Sequence, residues 1–376
     1  MTNNKFSKYD IIICGAGPVG CTIANIAALD GAKVLIVEKR DHIAGNCYDY
    51  FHESGIFIHK YGPHCFKTNH DEVITYLSNY TDWIDGEYIV KSYYNGELYP
   101  FPLNKTSIEK FFKTSFSSEE EIKNYISKKA LPIINPKNSE ELILSRIGKE
   151  LYEAFYKGYT TKQWEMEPKD LDPSVCGRIP IRFNNFEYYT DDKFQKMPEL
   201  GFTEMFGKMI NHPNITVKLN SDFNLMKDQL SNKQIKIITG PVDSYFNYKL
   251  GHLGWRSLNF KYQKFDQEFV QQSLQVNYPN DYSYTRSVEY KHITKQISPH
   301  TLIAYEYPSA LGDPYYPIPN TKNNSMFAEY KKLAADAESE QSTYFCGRLA
   351  EYTYINTDQA VLKGLNLAKR IINDKR

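Results

Sequence analysis

An α/β fold built from a discontinuous nucleotide domain, a helical-bundle insert and an antiparallel β-sheet domain is predicted by three observations. A β-branched run at residues 11–13 leads through Cys14 into Gly15, Gly17 and Gly20, and a second run from residue 34 closes on Glu38. A short strand, a glycine and an amphipathic helix recur near the C-terminus, at 343–346, Gly347 and about 358 onward. Between them lie a stretch of helical periodicity (106–164) and one of aromatic, strand-like runs (178–319).

The first unit reads strand, turn, helix, strand. Gly15 permits a tight turn, Gly17 leaves room for a pyrophosphate, and Gly20 lets helix and strand pack closely. A diphosphate resting on the N–H groups at the helix start, near Pro18, is expected from the geometry of helix N-termini. Glu38 lies 18 positions beyond Gly20, with Lys39 beside it, where an acid accepts hydrogen bonds from ribose hydroxyls. The unit is thus Rossmann-like.

The residues after Glu38 favour FAD over NAD. An NAD domain would continue into another βα unit, whereas Ala44-Gly45-Asn46 reads as a glycine-bearing loop running back over the pyrophosphate, one glycine short of the usual pair. The late segment adds Gly347-Arg348 after a strand and then a helix with Val361, Leu362, Leu365 and Ala368 on one face. Asn356, Thr357 and Asp358 are its candidate caps. Its N-terminus would direct positive potential at the flavin and favour an anionic reduced ring.

The residues between these pieces divide in two. Asn95-Gly96, between aromatic runs, predicts a hairpin. In the helical stretch Ser107, Ser117 or Ser118, and Ser139 are candidate caps, each followed by glutamates. Leu142, Ile143, Ile147, Leu151 and Phe155 then form an apolar stripe on a long helix ending near Gly158. Strands at 215–217 and 235–239 return to the nucleotide domain. The expected boundaries are 1–80, 205–245 and 328–376 for the FAD-binding domain, 104–177 for the helical insert, and 81–103, 178–204 and 246–327 for the antiparallel-sheet substrate domain.

Size and composition narrow the function. A chain of 376 residues suits two or three domains. Its 45 basic and 45 acidic residues cancel, which argues against nucleic acid as the main partner. No apolar run spans a bilayer and residues 1–9 are polar, so neither a membrane span nor a secretory signal is expected. Six scattered cysteines without a CxxC point to reduced thiols in the cytoplasm and to no metal site. Tyrosine is the outlier, at 31 residues. Many fall near arginines.

Four segments carry candidate chemistry: HKYGPHCFKT (59–68), KGYTTKQW (157–164), GRIPIRF (177–183) trailed by YYTDDKFQ, and YTRSVEYKH (284–292). Together with EKRDHI, TGPVDSYF, EYP followed by DPYYPIP, and CGRLAEYTYI, they occur in one order from residue 10 to 370. In these motifs the chain resembles the bacterial-type UDP-galactopyranose mutase family.

That resemblance implies a Rossmann-like FAD domain, a helical bundle, an antiparallel sheet and a homodimer. It also implies an isomerase that interconverts pyranose and furanose forms of a UDP-sugar. In the mechanism it implies, N5 of reduced FAD attacks the anomeric carbon as UDP departs; the flavin–sugar adduct lets the ring open and reclose, and no net redox change results. Arg178 and Arg286 match the family's mobile-loop and fixed arginines, which hold the departing diphosphate. Arg178 lies in a stretch expected to be a loop and is a candidate lid. Tyr159, Thr160, Trp164 and Tyr189 match uridine- and phosphate-contacting positions, with Phe155 as a uracil wall. Tyr316 and Tyr354 match tyrosines that reach the diphosphate. His64 would face flavin and sugar, and Arg348 would lie beside the flavin.

The chain departs from the family at Lys67 (a histidine there), Asn356 (an aspartate), Thr190 (an aromatic) and Pro63 (an alanine). The first two shift the local field by up to two charge units in the positive direction. This suggests a sugar other than galactose: N-acetylated, deoxy, pentose or acidic. Two other readings compete. An FAD oxidoreductase of amine-oxidase type leaves the arginines among tyrosines unexplained. A nucleotide-sugar binding protein has no need of FAD.

Overall fold

The computed structural model describes residues 6–375, so the outermost ends of the expected first and last FAD-domain segments, 1–5 and 376, lie outside the described residues. Five short strands form a parallel sheet. Ile11–Cys14 is central, with Val34–Val37 and then Ile215–Lys218 on one side, and Ile235–Ile238 and then Thr343–Phe345 on the other. The link between the second and third strands takes up 38–214, and that between the fourth and fifth takes up 239–342. The nucleotide sheet is therefore closed by chain ends that first build everything else.

Alternation assigns its two faces. Ile11 and Ile13 pack with Ala24, Ala28, Val361 and Leu365 of two helices, Pro18–Leu29 and Thr357–Lys375. Ile12 and Leu35 point the other way, against Phe223 and Met226. The two helices touch closely because Gly364 has no side chain: a Cβ there would lie 2.9 Å from Thr22 Cβ. Val361, Leu365, Ala368 and Ile371 are fully or almost fully buried at helical spacing, each contributing about 1–3 kcal/mol by burial, with Ala368 lowest.

The insert contains helices Lys105–Phe112, Glu119–Ser127, Ser139–Tyr152 and Gly158–Trp164. Of the expected caps, Ser118 accepts from the Glu121 N–H. Ser107 and Ser139 do not cap. Asn104 accepts from the Ser107 N–H at 3.0 Å, and Asn138 from the Glu141 N–H at 2.8 Å. Asparagine caps as well as serine does, and it sits nearer each true start. The long helix also differs from expectation. Gly148 (φ 77°) interrupts it where a Cβ would lie 2.3 Å from the Lys129 carbonyl. A π turn comes next at Glu153–Lys157, and the helix then runs through Gly158 to Trp164, ending on left-handed Glu165.

A seven-stranded sheet runs in the order Tyr316–Pro317, Trp255–Phe265, Thr301–Ser309, Arg286–Glu289, Gln275–Asn277, Val90–Tyr94, Glu97–Phe101. It is antiparallel except where Gln275–Asn277 meets Val90–Tyr94, a parallel junction of two distant chain segments. Asn95 and Gly96 both have positive φ, as the two-residue hairpin requires. The stretch 178–319 is not all strand: Gly201–Ile210 is a helix burying Phe202, Met205, Phe206, Met209 and Ile210 on one face. A 21-residue helix, Thr321–Gln341, precedes the last strand. Among the described residues no helix is long and apolar enough to cross a membrane, and no His/Cys/Asp/Glu group could hold a metal. All six cysteines are free.

Candidate active site

The glycine turn and the second glycine loop meet backbone to backbone. Gly15 has φ +109° and a Cβ would lie 2.2 Å from Thr239 Oγ1; at Gly20 it would lie 2.0 Å from the Gly15 carbonyl. Gly17 caps Pro18–Leu29 with no side-chain partner. Gly45 (φ +57°) approaches so closely that its Cβ would lie 2.9 Å from Gly17 Cα. This is a cradle of bare backbone at a helix start, the shape and polarity a dinucleotide pyrophosphate requires.

The flanking groups are ordered around it. Glu38 is buried, and its carboxylate accepts from the Ala16 and Arg40 N–H groups, both at 2.8 Å. It is thus anchored to the turn and keeps lone pairs for ribose hydroxyls. Asn46 accepts from Arg40 at 2.9 Å. Lys39 is 80% exposed and pairs with Asp222 at 3.3 Å. Thr357, at the start of the last helix, meets Cys47 at 3.4 Å, and Gln359 accepts from the Asn356 N–H. Gly347 packs on Val19 of the first helix, and Arg348 donates to the Tyr315 and Ile355 carbonyls.

A cavity of about 380 Å³ opens beside this end, walled by the 61–67 turn, the helical insert, the large sheet and the 348–359 segment. His64, Lys67, Phe155, Tyr159, Thr160, Trp164, Arg178, Tyr189, Arg286, Tyr316, Arg348, Tyr354, Asn356 and Thr357 all line it. Thr190 does not: it is buried and its hydroxyl binds Asp192. Two guanidiniums approach Tyr354, with the Arg178 and Arg348 Cζ atoms each 4.7 Å from its ring centroid. Tyr316 stacks on the same ring at 5.9 Å. Arg178 directly succeeds the short helix Ser174–Gly177 as its C-cap. Phe155 is buried against Tyr94, Tyr99 and Phe111.

The electrostatics are dominated by cations. Burial alone would raise the Tyr354 phenol, but Arg178, Arg348, Lys67 and Arg286 outweigh it and hold the phenol below its usual range. Burial drives the His64 imidazole down to about 3, with Arg348 assisting, so it is neutral at pH 7. Its Nδ1 faces the Gly62 carbonyl at 2.9 Å, which fixes Nδ1 as the protonated nitrogen. Lys67 meets Asp192 at 3.8 Å and approaches the Tyr189 ring.

Several wall residues carry no separate sequence signal. Gln163 sits inside KGYTTKQW, and Gln275 and Asn277 alternate on an inward strand face, joined by a 2.7 Å hydrogen bond. Tyr61, Tyr88, Cys65, Tyr156, Cys176 and Tyr315 also line the wall. Behind it, Glu306 (0% exposed) pairs with Arg286 at 3.0 Å. Burial raises its carboxyl while Arg286 opposes the rise. The EYP segment contains it, but burial of a carboxylate is invisible without the sheet register.

Comparison with known proteins accords with this arrangement. The family model described as UDP-galactopyranose mutase matches residues 154–354, and one described as an NAD(P)-binding Rossmann-like domain matches 13–80. A Klebsiella pneumoniae protein, "Probable UDP-galactopyranose mutase", is 37% identical over 99% of this chain and 96% of its own. A dTDP-fucopyranose mutase of Escherichia coli is 33% identical, covering 97% of this chain and 99% of its own. Among solved structures, a reduced UDP-galactopyranose mutase shares the fold with a TM-score of 0.76 at 14% identity, covering 97% of this chain and 96% of that one. By these matches the chain belongs to the UDP-galactopyranose mutase family.

Proposed function

We propose that this protein is an FAD-dependent nucleotide-sugar mutase, an isomerase interconverting pyranose and furanose forms of a UDP-sugar with no net redox change. UDP-galactopyranose and UDP-galactofuranose are the first pair to test. The observation that carries the reading is the convergence of Arg178, Arg286 and Arg348 with tyrosines on one cavity beside a dinucleotide cradle. A homodimer working in the cytoplasm, supplying furanose units for polysaccharide, belongs to the same reading.

FAD would be held by Gly15, Gly17, Pro18, Gly20, Glu38, Lys39, Gly45 and Asn46 at its nucleotide end, and by His64, Gly347, Arg348, Asn356 and Thr357 nearer the ring. When bound and reduced, it supplies an electron-rich nucleophile toward the anomeric carbon. The chain's own residues handle the rest. Arg178 and Arg286 grip the diphosphate as negative charge grows on it, where planar, fixed donors stabilise it most. Tyr316 and Tyr354 add phenol donors to the same oxygens. Phe155, Tyr159, Thr160, Trp164 and Tyr189 hold the nucleoside. Neutral His64 orients sugar hydroxyls without adding charge. Arg178, by shifting with its loop, closes the cleft and keeps water from the sugar cation.

A second reading keeps the chemistry and changes the sugar. Lys67 and Asn356 in the cavity wall support it, as does the kinship with a dTDP-fucopyranose mutase. The charges limit the choice. Lys67, Arg178, Arg286 and Arg348 face Asp192 and Glu306, leaving an excess of about two positive charges for a diphosphate carrying about two negative ones. A neutral sugar matches that balance; an acidic one exceeds it. Oxidoreductase chemistry of amine-oxidase type rests on shared fold alone: a putrescine oxidase structure has a TM-score of 0.56 at 12% identity. Specificity constants for the reduced holoenzyme on UDP-galactose and a panel of N-acetylated, deoxy, pentose and acidic nucleotide sugars test the proposal. Preference for UDP-galactose removes the second reading; turnover of none removes both.

A further inference from the structure

Lys162 lies on the helix Gly158–Trp164, between the nucleoside-wall residues Thr160 and Trp164, and turns away from the cavity wall. Its ammonium lies within hydrogen-bonding reach of four backbone carbonyls of one loop, which share its three N–H groups: Tyr278, Asp281 at 3.1 Å, Tyr282 at 3.1 Å and Tyr284 at 3.3 Å. That loop joins the strand Gln275–Asn277 to Arg286–Glu289. Converging carbonyl dipoles repel one another unless a positive charge sits at their centre, so the loop's shape depends on the ammonium. Holding a lysine in one place costs side-chain entropy, and burial lowers the pKa of this amine to about 8. Both costs are met here without an ion pair to any carboxylate among the described residues, although the charge of Asp281 partly offsets the burial.

Two further contacts tie the same loop to the same helix. Asn280 donates to the Ala154 carbonyl at 2.9 Å, inside the π turn. At Gly158 a Cβ would lie 2.4 Å from the Pro279 carbonyl, so only glycine lets the loop sit so close. At the end of the loop, Thr285 meets Gln163 at 3.3 Å. The helix carries Tyr159, Thr160 and Trp164, and the loop leads directly into Arg286.

The geometry points to Lys162 as a positioning residue, whose ammonium clamps the 278–285 loop to the nucleoside helix and so fixes Arg286 relative to the bound nucleotide. Its kinetic consequence rests on the nucleotide-sugar reading above; the clamp itself does not. Lys162 touches no substrate and acts through Arg286.

The test compares wild type, Lys162→Met, Lys162→Ala and Asn280→Ala as FAD-loaded proteins. Hydrogen exchange is expected to rise in residues 278–285 of the Lys162 variants, with exchange in the nucleotide sheet and the flavin content unchanged. With UDP-galactose, kcat is expected to fall about tenfold or more, as a displaced charge donor costs, while the dissociation constant of UDP moves less than about threefold. A purely structural lysine would not divide the loss in that way. n-Propylammonium, which supplies the missing amine, is expected to restore part of kcat in Lys162→Ala and none in wild type. Asn280→Ala removes one tether without touching charge and is expected to loosen the same loop less. It stands in should the lysine variants fail to fold. Unchanged exchange in 278–285 in every folded variant overturns the clamp. A loosened loop with kcat within about twofold of wild type overturns its link to Arg286. If wild type turns over no nucleotide sugar, the functional reading falls, and the exchange result still decides the clamp.

Discussion

Arg286 and Glu306 face each other across neighbouring strands, Nε to Oε2 at 3.0 Å, and Glu306 is wholly buried. The carboxylate thus lies behind an arginine whose front reaches the cavity. It holds the guanidinium in place before substrate arrives.

Removing the front partner removes the grip on the diphosphate. Arg286→Ala is expected to lower kcat by about a hundredfold or more with FAD still bound, the scale of losing a fixed charge donor. Steady-state rates and the flavin absorbance of the same sample check it. Near-normal turnover would discredit the role.

Removing the rear partner is expected to act on stability and to be repaired by ligand. Glu306→Gln leaves Arg286 with an uncompensated charge, a loss of about 3 kcal/mol for a buried pair. UDP brings a replacement anion, so its stabilising shift in Tm should be larger in Glu306→Gln than in wild type. Equal shifts would mean that the diphosphate does not reach Arg286.

Gly45→Ala is expected to empty the cofactor site selectively. Its φ of +57° and the 2.9 Å approach to Gly17 Cα leave no space for a methyl group. Separation of the two loops should lower FAD affinity by about tenfold or more, from strain of order 1–3 kcal/mol. Flavin content after dialysis measures it. Full retention would show that the two loops do not share the cofactor.

His59 gives the fold a defined acid sensitivity. It is completely buried, and burial lowers its pKa from 6.5 to about 3. The unfolded chain therefore binds the proton more readily, so this contribution to stability is intact above about pH 6.5 and is lost as pH falls toward 3. Its Nδ1 accepts the His64 N–H at 3.0 Å, which links acid unfolding to the cavity turn. Tm measured against pH should fall over this window, and less steeply in His59→Asn. Parallel curves would rule His59 out as the source.

The pair Lys67 and Asn356 tests sugar choice. Lys67→His with Asn356→Asp is expected to raise the ratio of kcat/KM for UDP-galactose over other nucleotide sugars by about tenfold, one to two charge interactions near the sugar. An unchanged ratio would assign the substitutions no part in specificity.

How much is legible in the sequence depends on the range of each interaction. The glycine turn, Glu38, the Asn95-Gly96 hairpin and the stripe of the last helix are local patterns, and the structure carries all of them. Motifs name most of the wall residues, yet Thr190 serves Asp192, because its loop turns it into the protein and away from the cavity. Ser118 caps as its pattern predicts, whereas the other two caps are Asn104 and Asn138, close before the serines that the pattern favours. Gly158 reads as a helix end, although it and Gly148 each make room for a carbonyl brought from elsewhere, Pro279 and Lys129. Glu306 and Lys162 escape sequence reasoning for the same cause: their partners are distant in the chain and their meaning appears only in register.

The most direct test of the central claim is to give dithionite-reduced, FAD-loaded protein UDP-galactose and follow sugar products and flavin redox state together. The expected result is UDP-galactofuranose formed over many turnovers with the flavin still reduced and no reductant consumed, and an inactive oxidised enzyme. A stoichiometric loss of reducing equivalents, or no furanose from any nucleotide sugar tried, would contradict it.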